Sequence, residues 1–141
     1  MKTEAGAATA SAVRARRARK TAATHGAGDS PGGMRRHDLI FLHGQPGTAA
    51  DWQLVSARLP AWLRVVTPDR PGYGSSPQPP GGFAANARTV VHQLDVRGIR
   101  RGVLAGHSYG GGVALAAAAL APHRIEAVVL LASVGPGCVS G

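Results

Sequence analysis

Six residues of the chain combine a hydroxyl nucleophile with a backbone that can turn sharply. Ser108 lies in the run GHSYGG, residues 106–111, with apolar residues 103–105 before it and an alanine-rich stretch after it. This context predicts a strand, a tight turn and a helix, in which flanking glycines avoid a Cβ clash and project the hydroxyl from the sheet. The pattern therefore predicts Ser108 as a nucleophile. The alternative is a glycine loop that only caps a strand.

A second glycine-rich loop could supply the hydrogen-bond donors that such a serine requires. Residues 38–42 predict a short buried strand that runs directly into HGQPG, residues 43–47. Acyl transfer needs donors aimed at the developing oxyanion. A loop after a neighbouring parallel strand can supply one N–H, and the residue after the serine can supply the other. The predicted donors are the main-chain amides of Gln45 and Tyr109.

Together with a third motif, these two loops resemble the α/β-hydrolase fold superfamily. The third motif is DRPGYGSS, residues 69–76, which follows a predicted strand and is similar to the family's D-x-x-G-x-G-x-S loop. The resemblance covers residues 36–135. It implies a serine hydrolase of ester, amide or related acyl bonds. Haloalkane dehalogenases and epoxide hydrolases are similar but have an aspartate where this chain has Ser108, so the resemblance favours an acyl-serine route.

The resemblance implies a role for each of five residues. Ser108 would be the catalytic nucleophile, and the amides of Gln45 and Tyr109 would form the oxyanion hole. His43 and Gly44 would belong to the oxyanion loop, in which His43 orders the loop rather than accepting the proton of the serine.

The resemblance also indicates which catalytic groups this sequence does not contain. The family places its acid after the sixth or seventh strand and its histidine after the eighth, whereas this sequence ends near the sixth-strand equivalent. The only histidine after Ser108 is His123, in a predicted turn, and no acidic residue follows Glu126. We expect the acid and the base to lie on sequence absent here, as in a truncated product. The alternatives are a non-catalytic binding or interaction module and an inactive truncated product.

Other titratable groups are weaker candidates for the base or the acid. His107 should point away from Ser108, because neighbouring side chains diverge at a sharp turn. Asp69 is expected to cap the turn that follows it. The remaining histidines are predicted to lie on the solvated surface; they are His25, His37 and His92.

Apolar periodicity predicts alternating strands and helices along residues 36–135. The predicted strands span 38–42, 64–66, 103–106 and 125–132, and the predicted helices span 49–59, 84–96 and 109–121. Such alternation implies parallel strands joined by right-handed crossovers. The predicted fold class is α/β, a three-layer sandwich with a mostly parallel sheet that forms an incomplete α/β-hydrolase core. No apolar stretch approaches the roughly 20 residues that span a bilayer.

The two ends of the chain differ from this pattern. Residues 1–35 form a basic low-complexity tail without aromatic residues, which predicts disorder, and residues 136–141 are expected to be a disordered end. An arginine-rich tail could also be a transit peptide or bind phosphate or anionic lipid. A solvated extension or a misassigned start site is favoured, and the net charge of +9 does not by itself predict nucleic-acid binding.

Composition narrows the cofactors, the partners and the compartment. Cys138 is the single cysteine, which excludes an internal disulfide and leaves the cytoplasm as the default compartment. Because no Cys/His cluster, Walker motif or Rossmann motif occurs, no metal or nucleotide cofactor is predicted. The expected partner is a small-molecule acyl substrate. Self-association is a further expectation, because the last predicted strand would leave an exposed apolar sheet edge.

Overall fold

The computed structural model describes residues 36–135; the predictions for the basic tail and for residues 136–141 lie outside the described residues. The strands of the described part are β1 (His37–Leu42), β2 (Leu63–Val66), β3 (Gly102–His107) and β4 (Ile125–Leu131). A 3₁₀ turn at Ala49–Trp52 leads into the short helix α1 (Gln53–Ser56), and the longer helices are α2 (Phe83–Val96) and α3 (Tyr109–Leu120). A second 3₁₀ turn, Pro122–Arg124, precedes β4.

The four strands form one parallel sheet in the order β2-β1-β3-β4. In the register, Ile40 of β1 pairs with Val66 on one side and with Leu104 on the other. Because β1 and β3 are neighbours and parallel, the loops at their carboxyl ends leave the sheet side by side. The predicted α/β class and parallel sheet are confirmed.

Alternating side chains of β1 face two different layers. Ile40 and Leu42 are buried against α2 and α3, in a core that includes Leu104 of β3. Phe41 points to the opposite face, where the indole of Trp52 stacks on its ring with centroids 4.3 Å apart. The period of two along a strand thus gives the sheet an apolar covering on both faces. The three-layer arrangement is the one that the sequence predicts.

The first helix is shorter than the sequence predicts. It is a 3₁₀ turn followed by the four residues of α1, rather than one helix over 49–59. Beyond Ser56 the backbone bonds shorten to the three-residue type: Arg58 donates to the Val55 carbonyl and Leu59 to that of Ser56. Val55, expected on the apolar face, is 45% exposed, whereas Trp52 and Leu59 both pack in the cluster around Phe41.

Strand β4 occupies one edge of the described sheet, and it pairs with β3 alone. Its last residues are apolar but exposed, and they are Val129, Leu130 and Leu131. Between residues 36 and 135, no helix has both the length and the apolar character needed to cross a membrane.

A pair of identical substitutions tests the position of the core. Leu42→Ala removes a side chain with no solvent exposure, so we expect a loss of about 2–5 kcal/mol in the free energy of unfolding. Leu54→Ala is the matched control, because Leu54 is 73% exposed and its loss should change stability by less than about 0.5 kcal/mol. Urea unfolding of the 141-residue chain, followed by circular dichroism, measures both. Equal losses in the two variants would contradict this core.

Candidate active site

Ser108 lies between β3 and α3 in a backbone conformation that side-chain-bearing residues rarely adopt. Its φ is 50° and its ψ is −118°, and such a conformation costs of order 1–3 kcal/mol and persists only where the surroundings impose it. The surroundings hold both of its backbone groups. The Ser108 N–H donates to the Leu131 carbonyl at 3.0 Å, and the Ser108 carbonyl accepts from the N–H of Val134 at 3.2 Å. The end of β4 and the segment after it therefore hold the turn in place.

Two glycines of the GHSYGG run allow the backbone to pack closely around Ser108. A Cβ on Gly106 would overlap the backbone of Gly110, and a Cβ on Gly110 would overlap the carbonyl oxygen of Leu42. The start of α3 thus lies directly against the end of β1. The sequence prediction of a strand, a tight turn and a helix agrees with the order β3, Ser108, α3.

The two predicted oxyanion donors lie around the same cavity as Ser108. Gln45, Ser108 and Tyr109 all line an open cavity of about 710 Å³ at the carboxyl end of the sheet. Within residues 36–135, the N–H groups of Gln45 and Tyr109 donate to no backbone acceptor. Tyr109 is the first residue of α3, where helix N–H groups have no partner within the helix. Neither amide is therefore engaged by a backbone acceptor in the described part of the chain.

His43 is buried, and both of its ring nitrogens are in use. Its Nε2 accepts the backbone N–H of Arg70 at 2.9 Å, so the proton is on Nδ1, which donates to the Gly44 carbonyl at 3.0 Å. Burial lowers the pKa of His43 below its usual value, which keeps the ring neutral near pH 7. The ring ties the HGQPG loop to the segment after β2. Neither nitrogen is left to accept a proton from Ser108.

Arg70 is buried beside this loop, although sequence reasoning did not single it out. Its Nε donates to the His43 carbonyl at 2.9 Å and its Nη2 to the Gly44 carbonyl at 2.8 Å. The guanidinium lies over two aromatic rings, 4.5 Å from the centroid of Tyr73 and 4.7 Å from that of Tyr109. Burial lowers its pKa, but an arginine stays protonated in proteins. The only local sign in the sequence is an arginine in a loop with a tyrosine three residues later.

Asp69 joins two loops and does not approach the serine through any hydrogen bond. Its Oδ1 accepts the N–H of Ala49 at 2.7 Å, and its Oδ2 accepts both the N–H and the hydroxyl of Ser75 at 2.8 Å. These backbone N–H bonds, first from Ser75 and then from Ala49, lower the pKa of Asp69. The sequence predicted a turn cap. The structure adds the long-range bond to Ala49, which starts the 3₁₀ turn.

In the described part of the chain, no other titratable side chain forms a hydrogen bond with the Ser108 hydroxyl. No hydrogen bond joins it to a histidine or a carboxylate there. His107 is exposed, and its ring lies beside Gly44. His37, His92 and His123 are exposed too, and His25 lies outside the described residues. Among residues 36–135, no group of three or more potential metal ligands comes together.

The sequence matches known proteins over the same region. Residues 39–140 match a family model described as the alpha/beta hydrolase family. The chain is 38% identical over 108 residues to the dihydrolipoyllysine-residue acetyltransferase component of the acetoin cleaving system from Pseudomonas putida, covering 75% of this chain and 29% of that protein. It is 45% identical over 75 residues to a 2-hydroxymuconate semialdehyde hydrolase from Pseudomonas putida, covering 51% of this chain and 27% of that one.

Solved structures match as well. A hydrolase from Pseudomonas aeruginosa PA01 superimposes with a TM-score of 0.66 at 32% sequence identity, and the match covers 74% of this chain and 42% of the other. In every one of these comparisons the chain spans less than half of its relative, and it spans less than a third of the two relatives from Pseudomonas putida.

The bonds to Asp69 predict a pH-dependent loss of stability in Asp69→Asn. A lowered folded pKa means that the carboxylate stabilises the fold above its unfolded pKa of about 3.9, and that this contribution disappears as pH falls through the lower folded pKa. We expect Asp69→Asn to cost about 1–3 kcal/mol near pH 7. The difference from the unmodified chain should shrink below about pH 4.

Urea unfolding of the 141-residue chain at a series of pH values measures this difference. Asp95→Asn is the matched control, because Asp95 is more than half exposed and its ion pair is with the Arg124 side chain at 2.8 Å. A cost for Asp69→Asn that is the same at pH 3 and pH 7 would contradict the assigned role.

Proposed function

The chain belongs to the α/β-hydrolase family, and we propose on that basis that it carries the nucleophile and the oxyanion hole of a serine hydrolase. The substrates would be esters, amides or related acyl compounds. One observation supports this most directly: Ser108, in its rare backbone conformation, lines a cavity together with Gln45 and Tyr109, whose N–H groups donate to no backbone acceptor in the described part of the chain.

In the proposed reaction, the Ser108 oxygen attacks the carbonyl carbon of the substrate while its proton passes to a general base. The carbonyl oxygen becomes an oxyanion, which the N–H groups of Gln45 and Tyr109 bind. The positive end of the α3 dipole, at Tyr109, adds to this stabilisation. Collapse of the tetrahedral intermediate expels the alcohol or amine, which takes up the proton, and leaves an acyl-serine for water to cleave.

The base and its orienting acid would come from residues that this sequence does not contain. Both ring nitrogens of His43 are engaged, and Asp69 is occupied by Ala49 and Ser75. The chain spans less than a third of the two Pseudomonas putida relatives compared above, which leaves room for these groups in a longer protein. Without them, a serine hydrolase retains about 10³–10⁴-fold acceleration over water from binding and the oxyanion hole.

A second candidate function is a non-catalytic binding module that uses the same cavity. The observation that favours it is the hydroxyl of Ser108, which forms no hydrogen bond with any described histidine or carboxylate. Such a module would bind a small acyl compound without turning it over. Labelling chemistry at Ser108 separates the two functions.

Three further expectations accompany the proposal. The partner would be a small-molecule acyl compound, in keeping with the size of the cavity. The compartment would be the cytoplasm. Copies of the chain would associate through the exposed apolar residues of β4, unless other residues of a longer protein cover that edge.

A fluorophosphonate probe tests the proposal, because an activated serine displaces its fluoride and becomes phosphonylated. We expect the protein encoded by the full reading frame to be labelled. Mass spectrometry should find the adduct on Ser108, and Ser108→Ala should abolish it. Ser56→Ala is the control that should label normally, because Ser56 lies in α1, away from the cavity. The 141-residue chain should label at least about 10³-fold more slowly, because the base is absent.

Two results would count against parts of this scheme. Fast labelling of the 141-residue chain would show that a base exists within it. No labelling of either form, together with binding of an acyl compound, would overturn the hydrolase proposal and support the binding module.

A further inference from the structure

We propose that Arg70 is a positioning residue of the oxyanion hole, which fixes the direction of the Gln45 N–H and braces it against Tyr109. The catalytic consequence rests on the proposed function. The geometric part, the hold of Arg70 on the HGQPG loop, stands on the hydrogen bonds alone.

The guanidinium of Arg70 binds the HGQPG loop at two successive carbonyls. Nε donates to the His43 oxygen at 2.9 Å and Nη2 to the Gly44 oxygen at 2.8 Å, and the backbone N–H of Arg70 donates to the His43 ring. Only 3% of Arg70 is exposed, so these bonds are protected from competition by water. A planar fork with several donors can satisfy two carbonyls at once, which an ammonium cannot do in the same geometry.

The bond to the Gly44 oxygen determines where the next amide points. The Gly44 carbonyl and the Gln45 N–H belong to one planar trans peptide, in which the two groups point in opposite directions. Arg70 Nη2 and the Nδ1 of His43 both donate to that oxygen, and Arg70 lines the cavity together with Gln45. These bonds fix the plane of the peptide and so the direction of the Gln45 N–H, and Gln45 lines the cavity that Ser108 also lines. A hydrogen bond from a cation also polarises the peptide and strengthens its N–H as a donor.

The same guanidinium contacts the residue that carries the second donor. Its carbon lies 4.7 Å from the ring centroid of Tyr109, whose other face stacks on Phe83 at 4.4 Å. The centroid of the Tyr73 ring lies 4.5 Å from the guanidinium carbon, and Asn86 Oδ1 accepts from Nη1 at 3.4 Å. One cation therefore lies between the loop after β1 and the start of α3. The spacing of the two oxyanion donors depends on it.

Two variants and one control test this role. Arg70→Met removes the charge and the fork at similar length, and Arg70→Lys keeps the charge without the fork. Arg88→Met is the matched control, because Arg88 is exposed on α2 and makes no hydrogen bond or ion pair in the described part of the chain. Each substitution is made both in the protein that the full reading frame encodes and in the 141-residue chain.

The kinetic readout is hydrolysis of p-nitrophenyl acetate by the protein that the full reading frame encodes, with kcat and KM measured separately. We expect Arg70→Met to lower kcat about 10²-fold, comparable to the loss of one oxyanion donor, with KM changed less than about threefold. Arg70→Lys should recover part of kcat. A kcat for folded Arg70→Met within threefold of Arg88→Met would overturn the proposal, as would a loss confined to KM, which would make Arg70 a substrate contact.

A second readout does not depend on catalysis. In ¹H–¹⁵N spectra of the 141-residue chain, the Gln45 amide should shift in Arg70→Lys and stay in place in Arg88→Met. If Arg70→Met does not fold, the kcat and the Gln45 amide shift of Arg70→Lys decide whether Arg70 is a positioning residue. If the unmodified protein neither labels nor hydrolyses, the hydrolase function fails, and the Gln45 shift still decides whether Arg70 positions this amide. An unmoved Gln45 signal in Arg70→Lys would overturn the geometric claim.

Discussion

The backbone conformation of Ser108 is the constraint on which the arrangement of the site depends. A residue with a Cβ stays at φ 50° only when the chain around it leaves no cheaper choice. Here Leu131 and Val134 hold its two backbone groups, and Gly110 lets the start of α3 approach Leu42 without a clash. Strain at one residue is thus balanced by hydrogen bonds from β4 and by contact with β1. The central strands and the edge strand all contribute to one turn.

The parallel sheet brings the pieces of the site together at one end. β1 and β3 are hydrogen-bonded neighbours, so the HGQPG loop and Ser108 follow strands that end side by side. The loop after β2 enters the same region, because β2 pairs with the other edge of β1. From it, Asp69 reaches Ala49, and Arg70 reaches the carbonyls of the HGQPG loop. Three separate segments are linked by side chains that end in buried or half-buried hydrogen bonds.

Much of this fold follows from local sequence pattern, and the site follows in part. The strand expected at 38–42 is found at His37–Leu42, because a continuous run of apolar β-forming residues is by itself typical of a buried strand. The first helix was overestimated, since Val55 has the spacing of a core residue but meets no partner layer. Whether an apolar side chain is buried depends on residues distant in sequence, so the spacing along one helix cannot predict its burial.

Arg70 shows the same limit for a polar residue. An arginine between Asp69 and Pro71 in a glycine-rich loop has the local pattern of a solvated turn. It is buried because three distant parts of the chain supply its partners: the carbonyls of His43 and Gly44, the amide of Asn86, and the ring of Tyr109. No spacing rule connects these positions. Ser108 and its glycines could be recognised because they form a contiguous motif, whereas the group that braces the loop becomes visible only once the chain is folded.

The stacking of Trp52 on Phe41 has an optical consequence. The chain has two tryptophans, and they lie in unlike surroundings: Trp52 is buried, with an indole N–H that has no partner among the described residues, whereas Trp62 is 39% exposed. Trp52 also lines a cavity of about 350 Å³ behind the HGQPG loop, together with His43 and His107. With Trp62 replaced by phenylalanine, the remaining indole fluorescence would come from the back of that loop. Its emission wavelength would then report when water enters behind the loop, with no label attached.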